Sequence, residues 1–357
     1  MNRLLSLIAA LVLATNLAAQ DVTYISTAQE LRQLAEDWNN GTLTEGSFRL
    51  NANIDLSGEN WTPIGTTARP FTASLDGQGH WVSNLTIFVP GALTGNTAGL
   101  FGCIGEGGLV TRVGVASGTV RVDQKSDSYP QCYSGGLAGL CHGSIIQCAN
   151  AATIYGNLTY ANVGGIAGEL SGKGIIQDCY NLGRLYTSKS DYDSKNKMGG
   201  IVGHCDDGTI RSSYSSAIVE KAEFCKGGAV ADETFDADIE NVFYNTDLVS
   251  DGEDEEYYGR TQAQMIGYAL DGQLNNAQGD YTVWTFAEGR MPQLGCLPLP
   301  WGDVNLDGQV SIADVTYLVN ILLGKTPVNF MSDVNRDGQV SIADVTYLVN
   351  ILLGKAS

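Results

Sequence analysis

The residues best spaced to do chemistry lie in the last 55 positions of this 357-residue chain, where one segment is written twice. Asp303–Lys325 reads DVNLDGQVSIADVTYLVNILLGK, and Asp333–Lys355 repeats it with Arg336 in place of Leu306. In the first copy, oxygen-bearing side chains fall at places one, three, five and nine (Asp303, Asn305, Asp307, Ser311), and Asp314 stands at place twelve. Place seven is Gln309, where a calcium loop uses the backbone carbonyl, and Gly308 at place six allows the sharp turn. The second copy supplies Asp333, Asn335, Asp337, Gly338, Gln339, Ser341 and Asp344. Hard oxygen donors at this spacing predict one Ca²⁺ per loop, two ions in all. They disfavour metals that seek thiolate or imidazole.

Each loop leads into a strongly apolar helix. In Ile312–Leu323 nine of twelve residues are apolar, and Ile342–Leu353 is identical. A helix in a two-helix unit buries one stripe, so a second apolar face implies a partner. Both loops close with Asp where the common calcium hand has Glu, and one helix follows each loop instead of flanking it on both sides. With these features residues 303–357 resemble a type I dockerin, a small all-α calcium-binding domain that plugs into cohesin domains. The resemblance implies a cohesin-like partner, met through Ile312, Ala313, Val319 and Asn320 and through their copies Ile342, Ala343, Val349 and Asn350. The best-known dockerins carry Ser or Thr at the first two positions, so Ile-Ala implies a different cohesin specificity.

The rest of the chain must carry whatever this tail docks. Arg3, the apolar run Leu4–Leu13 and Ala18-Ala19 read as a secretory signal peptide over residues 1–20, so a secreted, extracellular or cell-surface protein of bacterial type is expected. No later apolar run is long enough to cross a membrane as a helix. The net charge of −19 argues against nucleic acid and anionic lipid as partners. Eight cysteines lie between Cys103 and Cys296 without a CxxC pair, which leaves disulfides or buried thiols as the two readings.

Glycine makes up 44 of 357 residues, above the usual ~7 %, and it recurs in a pattern. AGLFG at Ala98, GGLAG at Gly135, GGIAG at Gly164, GGIVG at Gly199 and GGAVA at Gly227 are each followed by a β-branched column: Val110, Ile145, Ile176, Ile210, Ile239. A strand-rich repeat of this length predicts a solenoid, an all-β right-handed parallel β-helix over residues 21–297, of seven to nine turns when the non-repeating front is counted. Asn150 and Asn181 share a column, as in an asparagine ladder, and Cys148 and Cys179 share another. Parallel stacking points these two thiols the same way, which is poor disulfide geometry. Thr27–Glu30 is a capping box ahead of an amphipathic helix burying Leu31, Leu34, Ala35 and Trp38. Thr261–Asn275 predicts a second short helix, burying Met265, Leu270 and Leu274, that closes the back of the solenoid as the first closes the front. Residues 298–302 read as a linker. The GG(L/I)xG starts resemble GLUG motifs of bacterial secreted and surface proteins, which implies the same solenoid.

Catalytic constellations are scarce. His80, His142 and His204 read as exposed turn histidines; Asp178, Asp206 and Asp207 have no paired acid. The acidic run Asp247–Glu256 reads as a solvated loop or an auxiliary cation site. Seven tyrosines between Tyr129 and Tyr192 suggest either a sugar-stacking strip or column filling. Two functional readings follow. One is a binding or adhesive β-helix docked to a cohesin-like partner that handles polysaccharide or host glycan. The other is a dockerin-borne polysaccharide-degrading enzyme, a glycoside hydrolase or lyase.

Overall fold

A computed structural model describes residues 22–90, 97–123, 131–157, 161–186, 196–220, 226–230, 236–249, 258–275, 283–298, 301–305, 309–326, 331–335 and 339–355. The signal peptide, Cys225 and the acids from Asp251 to Glu256 lie outside them.

Strands stack in parallel on three faces. The first face runs from Val22–Ile25 through Ser47–Leu50, Ser74–Ser83, Leu109–Val115, Ser144–Ile146, Ile175–Gln177 and Thr209–Ser215 to Asp238–Asn245. The second is built on the glycine-rich starts, with Cys132–Gly135, Ala161–Gly164 and Lys197–Asp206 in register. The third stacks Leu85–Pro90, Gly118–Asp123, Thr153–Asn157, Arg184–Tyr186 and Ile218–Glu220. About four turns form the solenoid, fewer than the seven to nine expected. The front and back of the chain add strands to one or two faces without completing further turns.

The column Val110, Ile145, Ile176, Ile210 fills the core, fully buried. Beside it each turn bends at one residue with left-handed backbone: Arg112, Gln147, Asp178, Ser212 and Asn241 have φ between 45° and 56°. The asparagine ladder forms as expected. Asn150 Nδ2 donates to Asn181 Oδ1 (2.9 Å) and Asn181 Nδ2 to the Gly200 carbonyl (2.8 Å), while each side-chain oxygen accepts an N–H two residues on. The ladder explains the doubled glycine. A Cβ on Gly165 would stand 1.9 Å from Asn181 Nδ2, and one on Gly136 2.2 Å from the Asn150 amide.

Helix α1 (Ala28–Asn40) plugs the front with the four side chains expected of it, and its capping box forms. Trp38 packs on Phe71 (ring centroids 4.7 Å apart), and Phe71 on Phe101, so the plug continues into the core. The segment after residue 258 departs from expectation. It forms two single-turn helices, α2 (Gln262–Met265) and α3 (Asp271–Leu274), and it does not close the back. It lies as a strap along the outside of the first face, because that face carries an outward apolar column: Trp81, Ala149, Tyr180, Tyr214 and Phe243 pack against Met265, Leu270, Leu274, Trp284 and Leu294. Cys148 and Cys179 are free and fully buried, and burial pushes the Cys179 thiol well up.

Candidate functional site

The C-terminal unit packs helices α4 (Ile312–Leu322) and α5 (Ile342–Leu352) against each other around Val304, Leu318, Ile321, Val334 and Leu348. Each helix starts where its loop ends. Asp314 Oδ1 accepts the Asn305 N–H (3.0 Å) and Oδ2 the Ser311 N–H (2.7 Å); Asp344 holds Asn335 and Ser341 in the same way at 3.0 and 2.8 Å. The twelfth residue thus ties the third to the ninth before any ion is considered. Ser311, read from sequence as a ninth-place ligand, turns its hydroxyl to cap the helix by accepting the Ala313 N–H (3.0 Å), and Ser341 repeats this. Its short side chain satisfies an otherwise unbonded amide of the first turn.

Asp303, Asp314 and Asp344 are fully buried, and Asp333 is half-buried. Asp307 and Asp337 lie outside the described residues, among which no group of three or more His, Cys, Asp or Glu gathers around a metal position. The donor set still fits Ca²⁺. A carboxylate accepts along about four directions, so one held by two amides can also grip a cation with both oxygens. The exposed side chains of Gln309 and Gln339 suit places that use the backbone carbonyl.

The outer faces of the helices are open. Ile312 and Ile342 are each 70 % exposed, Ala313 and Ala343 are exposed, and Val319 and Leu322 add to the first copy. Asn320, Val349 and Asn350 are half-buried. The unit meets the solenoid elsewhere, through the residues that precede the loops. Trp301 packs under the Arg290 guanidinium (4.8 Å), and Met331 joins the apolar cluster of the strap.

Residues 301–353 match the family of dockerin type I domains. That segment is a dockerin. Dockerin domains bind cohesin domains, type I dockerins are generally calcium-binding, and proteins that carry them are typically extracellular. No helix of the described residues is long and apolar enough to cross a membrane. Parts of the chain are similar to parts of much longer proteins. The chain is 30 % identical over 152 residues to halomucin of Haloquadratum walsbyi, and 36 % identical over 74 residues to a protein provisionally named a Gly-rich membrane protein of Evansella cellulosilytica. Those matches cover 39 % and 21 % of this chain but only 2 % and 8 % of the relatives' lengths. A crystal structure provisionally described as an immunoglobulin A1 protease from Bacteroides ovatus overlays 77 % of this chain and 92 % of its own, with a TM-score of 0.47 and 15 % identity.

The solenoid redistributes the other candidates. His204 is not a turn residue: it lies in a strand of the second face, with Lys197 Nζ 3.4 Å from its Nδ1 and Glu169 its neighbour in register. Glu169 is held by Asn162 Nδ2 (3.0 Å) and Ser171 Oγ (3.3 Å), and desolvation pushes nearby Tyr133 up to about 12. Sequence reasoning missed this cluster because the registers that align Tyr133 with Asn162 and Lys197, and Glu169 with His204, appear only once the turns are stacked. The tyrosines do not form one strip. Tyr133 is on the second face, Tyr180 is buried under the strap, and Tyr155 and Tyr186 pair on the third face; Tyr129, Tyr160 and Tyr192 lie outside the described residues.

Proposed function

We propose that this chain is an exported, calcium-dependent docking protein whose dockerin seats it on a cohesin-like partner and whose solenoid is a binding or adhesive module for polysaccharide or host glycan. Two ions, one per loop, hold the dockerin. The signal at residues 1–20 directs export. The observation that carries the reading is the pair of identical helices with Ile312 and Ile342 equally bare, since apolar surface of this kind is kept open for a partner. The test is capture of the full chain on a panel of immobilised type I cohesins: retention in calcium and release by EGTA are expected, and equal retention in EGTA would overturn the calcium dependence.

A second reading, cleavage of a polysaccharide, is favoured by the Glu169–His204–Lys197–Tyr133 cluster, whose acid, base and phenol suit proton transfer. Its test is reducing-sugar release from glycans by the full chain and by Glu169→Gln. Release by the parent chain that disappears in the variant would establish it.

A further inference from the structure

The outside of the third face carries two columns. One runs Phe88, Arg121, Tyr155, Tyr186, Glu220; the other runs Thr86, Thr119, Thr153, Arg184, Ile218. Phe88 is 44 % exposed, Arg121 lies over both Phe88 (5.8 Å) and Tyr155 (5.9 Å), and Tyr155 meets Tyr186 edge-on at 5.4 Å. No part of the strap covers this face among the described residues. At its head is an open cleft of about 500 Å³, lined by Arg32, Glu36 and Asn40 of α1 and by Glu59, Asn60 and Trp61. The two features are joined: Trp61 N donates to the Thr86 carbonyl (2.7 Å), and Asn60 Nδ2 to that of Phe88 (3.2 Å).

The cleft is built from internal bonds. Arg32 bonds the carbonyls of Leu56 and Asn60 at 3.1 Å each and stands over Trp61 at 5.8 Å, fixing the wall. The Asn40 oxygen is taken by Thr42, which leaves its amide NH₂ to face outward beside Glu36, one turn away on the same helix.

We propose that the cleft and the third face together bind a linear, neutral polysaccharide, one end in the cleft and the chain running along the solenoid axis over Phe88, Tyr155 and Tyr186. This rests on the glycan-binding reading above and places it on the molecule. Three observations select the ligand class. First, carboxylate, amide and guanidinium converge in the cleft, the mixed donor and acceptor set that vicinal hydroxyls need. Second, aromatic rings stand on three of the five rungs of one column (Phe88, Tyr155 and Tyr186), the rungs being about 4.8 Å apart, and Thr86 and Thr153 stand beside the first two, so that rings and hydroxyls of an extended sugar chain meet matching groups. Third, the surface is electrically balanced, with Arg32, Arg121 and Arg184 against Glu36, Glu59 and Glu220, on a chain of net charge −19. A polyanion is repelled by the whole molecule and gains little here. A peptide adding as a strand needs an open sheet edge, and this is a face whose backbone is already paired.

The experiment is affinity electrophoresis and calorimetry of the full chain against soluble mixed-linkage β-glucan, xyloglucan, galactomannan and yeast mannan, with polygalacturonate as the anionic arm. Three variants are compared: Tyr155→Ala with Tyr186→Ala, Phe88→Ser, and Glu36→Gln with Asn40→Ala. Circular dichroism and cohesin capture check that each is folded. Binding of at least one neutral glycan, weakened tenfold or more by the tyrosine pair and severalfold by the other two variants, is expected. Neutral-glycan binding unchanged in all three folded variants would overturn this surface while leaving the glycan reading intact. Binding of polygalacturonate alone would overturn the neutral class. A parent chain that binds no glycan would overturn both the surface and the glycan reading, with cohesin capture unaffected.

Discussion

Asp178 shows how much one residue's position depends on the whole chain. Burial pushes its carboxyl above the ordinary value of 3.8, opposed by the bonds it accepts from Gln177 and from Trp284 Nε1 (3.2 Å). A raised folded-state pKa means that the contribution is full below pH 3.8 and is lost as pH rises through the folded value. Asp178→Asn keeps an oxygen to accept from Trp284 Nε1, its new NH₂ donates to Gln177 once that side-chain amide flips to present its oxygen, and Asn suits the left-handed backbone (φ 52°). The variant is expected to melt higher than the parent at pH 7, with the difference vanishing toward pH 3; calorimetry across that range checks it. The Asn150–Asn181 ladder was legible in sequence because both members sit in one repeat column. Asp178 was not, because its partner lies 106 residues away in a segment that belongs to no repeat. At the docking helices, the identical copies leave either face available to a cohesin. Ala313→Asp alone is expected to cost about twofold in cohesin affinity, and Ala313→Asp with Ala343→Asp to abolish it, read by surface plasmon resonance. Abolition by the single change would show that only one orientation is used.

Among the elements, α1 was readable, since capping box and apolar spacing both act locally. The strap was not, although its buried residues Met265, Leu270 and Leu274 were identified. Amphipathicity tells which side of a segment is covered but not what covers it. The outward Tyr180–Tyr214 pair, stacked at 5.5 Å, gives the strap a lateral surface better than the open end of the stack. Two hydroxyls there differ instructively. Tyr214 donates to the Pro292 carbonyl at 2.6 Å, whereas the buried Tyr180 hydroxyl has no hydrogen-bond partner among the described residues. Tyr214→Phe should therefore destabilise by about 1–2 kcal/mol, and Tyr180→Phe should be neutral or stabilising. Urea unfolding of the two variants decides it: equal losses would mean that the Tyr180 hydroxyl has a partner after all.

On the scale of the whole molecule, two different forces hold the two parts. The solenoid is ordered by stacked apolar columns, and its Asn150–Asn181 ladder is satisfied within the chain. The dockerin buries three aspartates around a core of a few aliphatic side chains, too little to hold like charges together without a cation. Brief trypsin treatment of the full chain in EGTA should cut after Lys325 while the fragment ending there resists further cutting within the solenoid; resistance at Lys325 would show that the module folds without metal. Fold class and docking module were both legible because each is a repeat, and a repeat declares its own register. The contact of Trp301 with Arg290 was not, for neither residue belongs to a repeat.

The strap also fixes how this protein can vary. Solenoids ordinarily gain and lose turns by duplication, because each turn touches only its neighbours. Here one segment grips Phe243, Tyr214 and Asp178 and then reaches Cys296, whose Sγ lies 3.6 Å from Gln147 Oε1 and whose carbonyl lies 2.2 Å from where a Cβ on Gly79 would stand. An inserted turn would move the contacts at one end by about 4.8 Å relative to those at the other, nearly a full residue's reach, and strand Trp284 or Cys296 opposite the wrong rung. The strap is thus a ruler. Descendants of this sequence are free to change loop length and surface chemistry, but a change in the number of turns requires a matching change in residues 262–297, so lineages that keep the strap should keep the count.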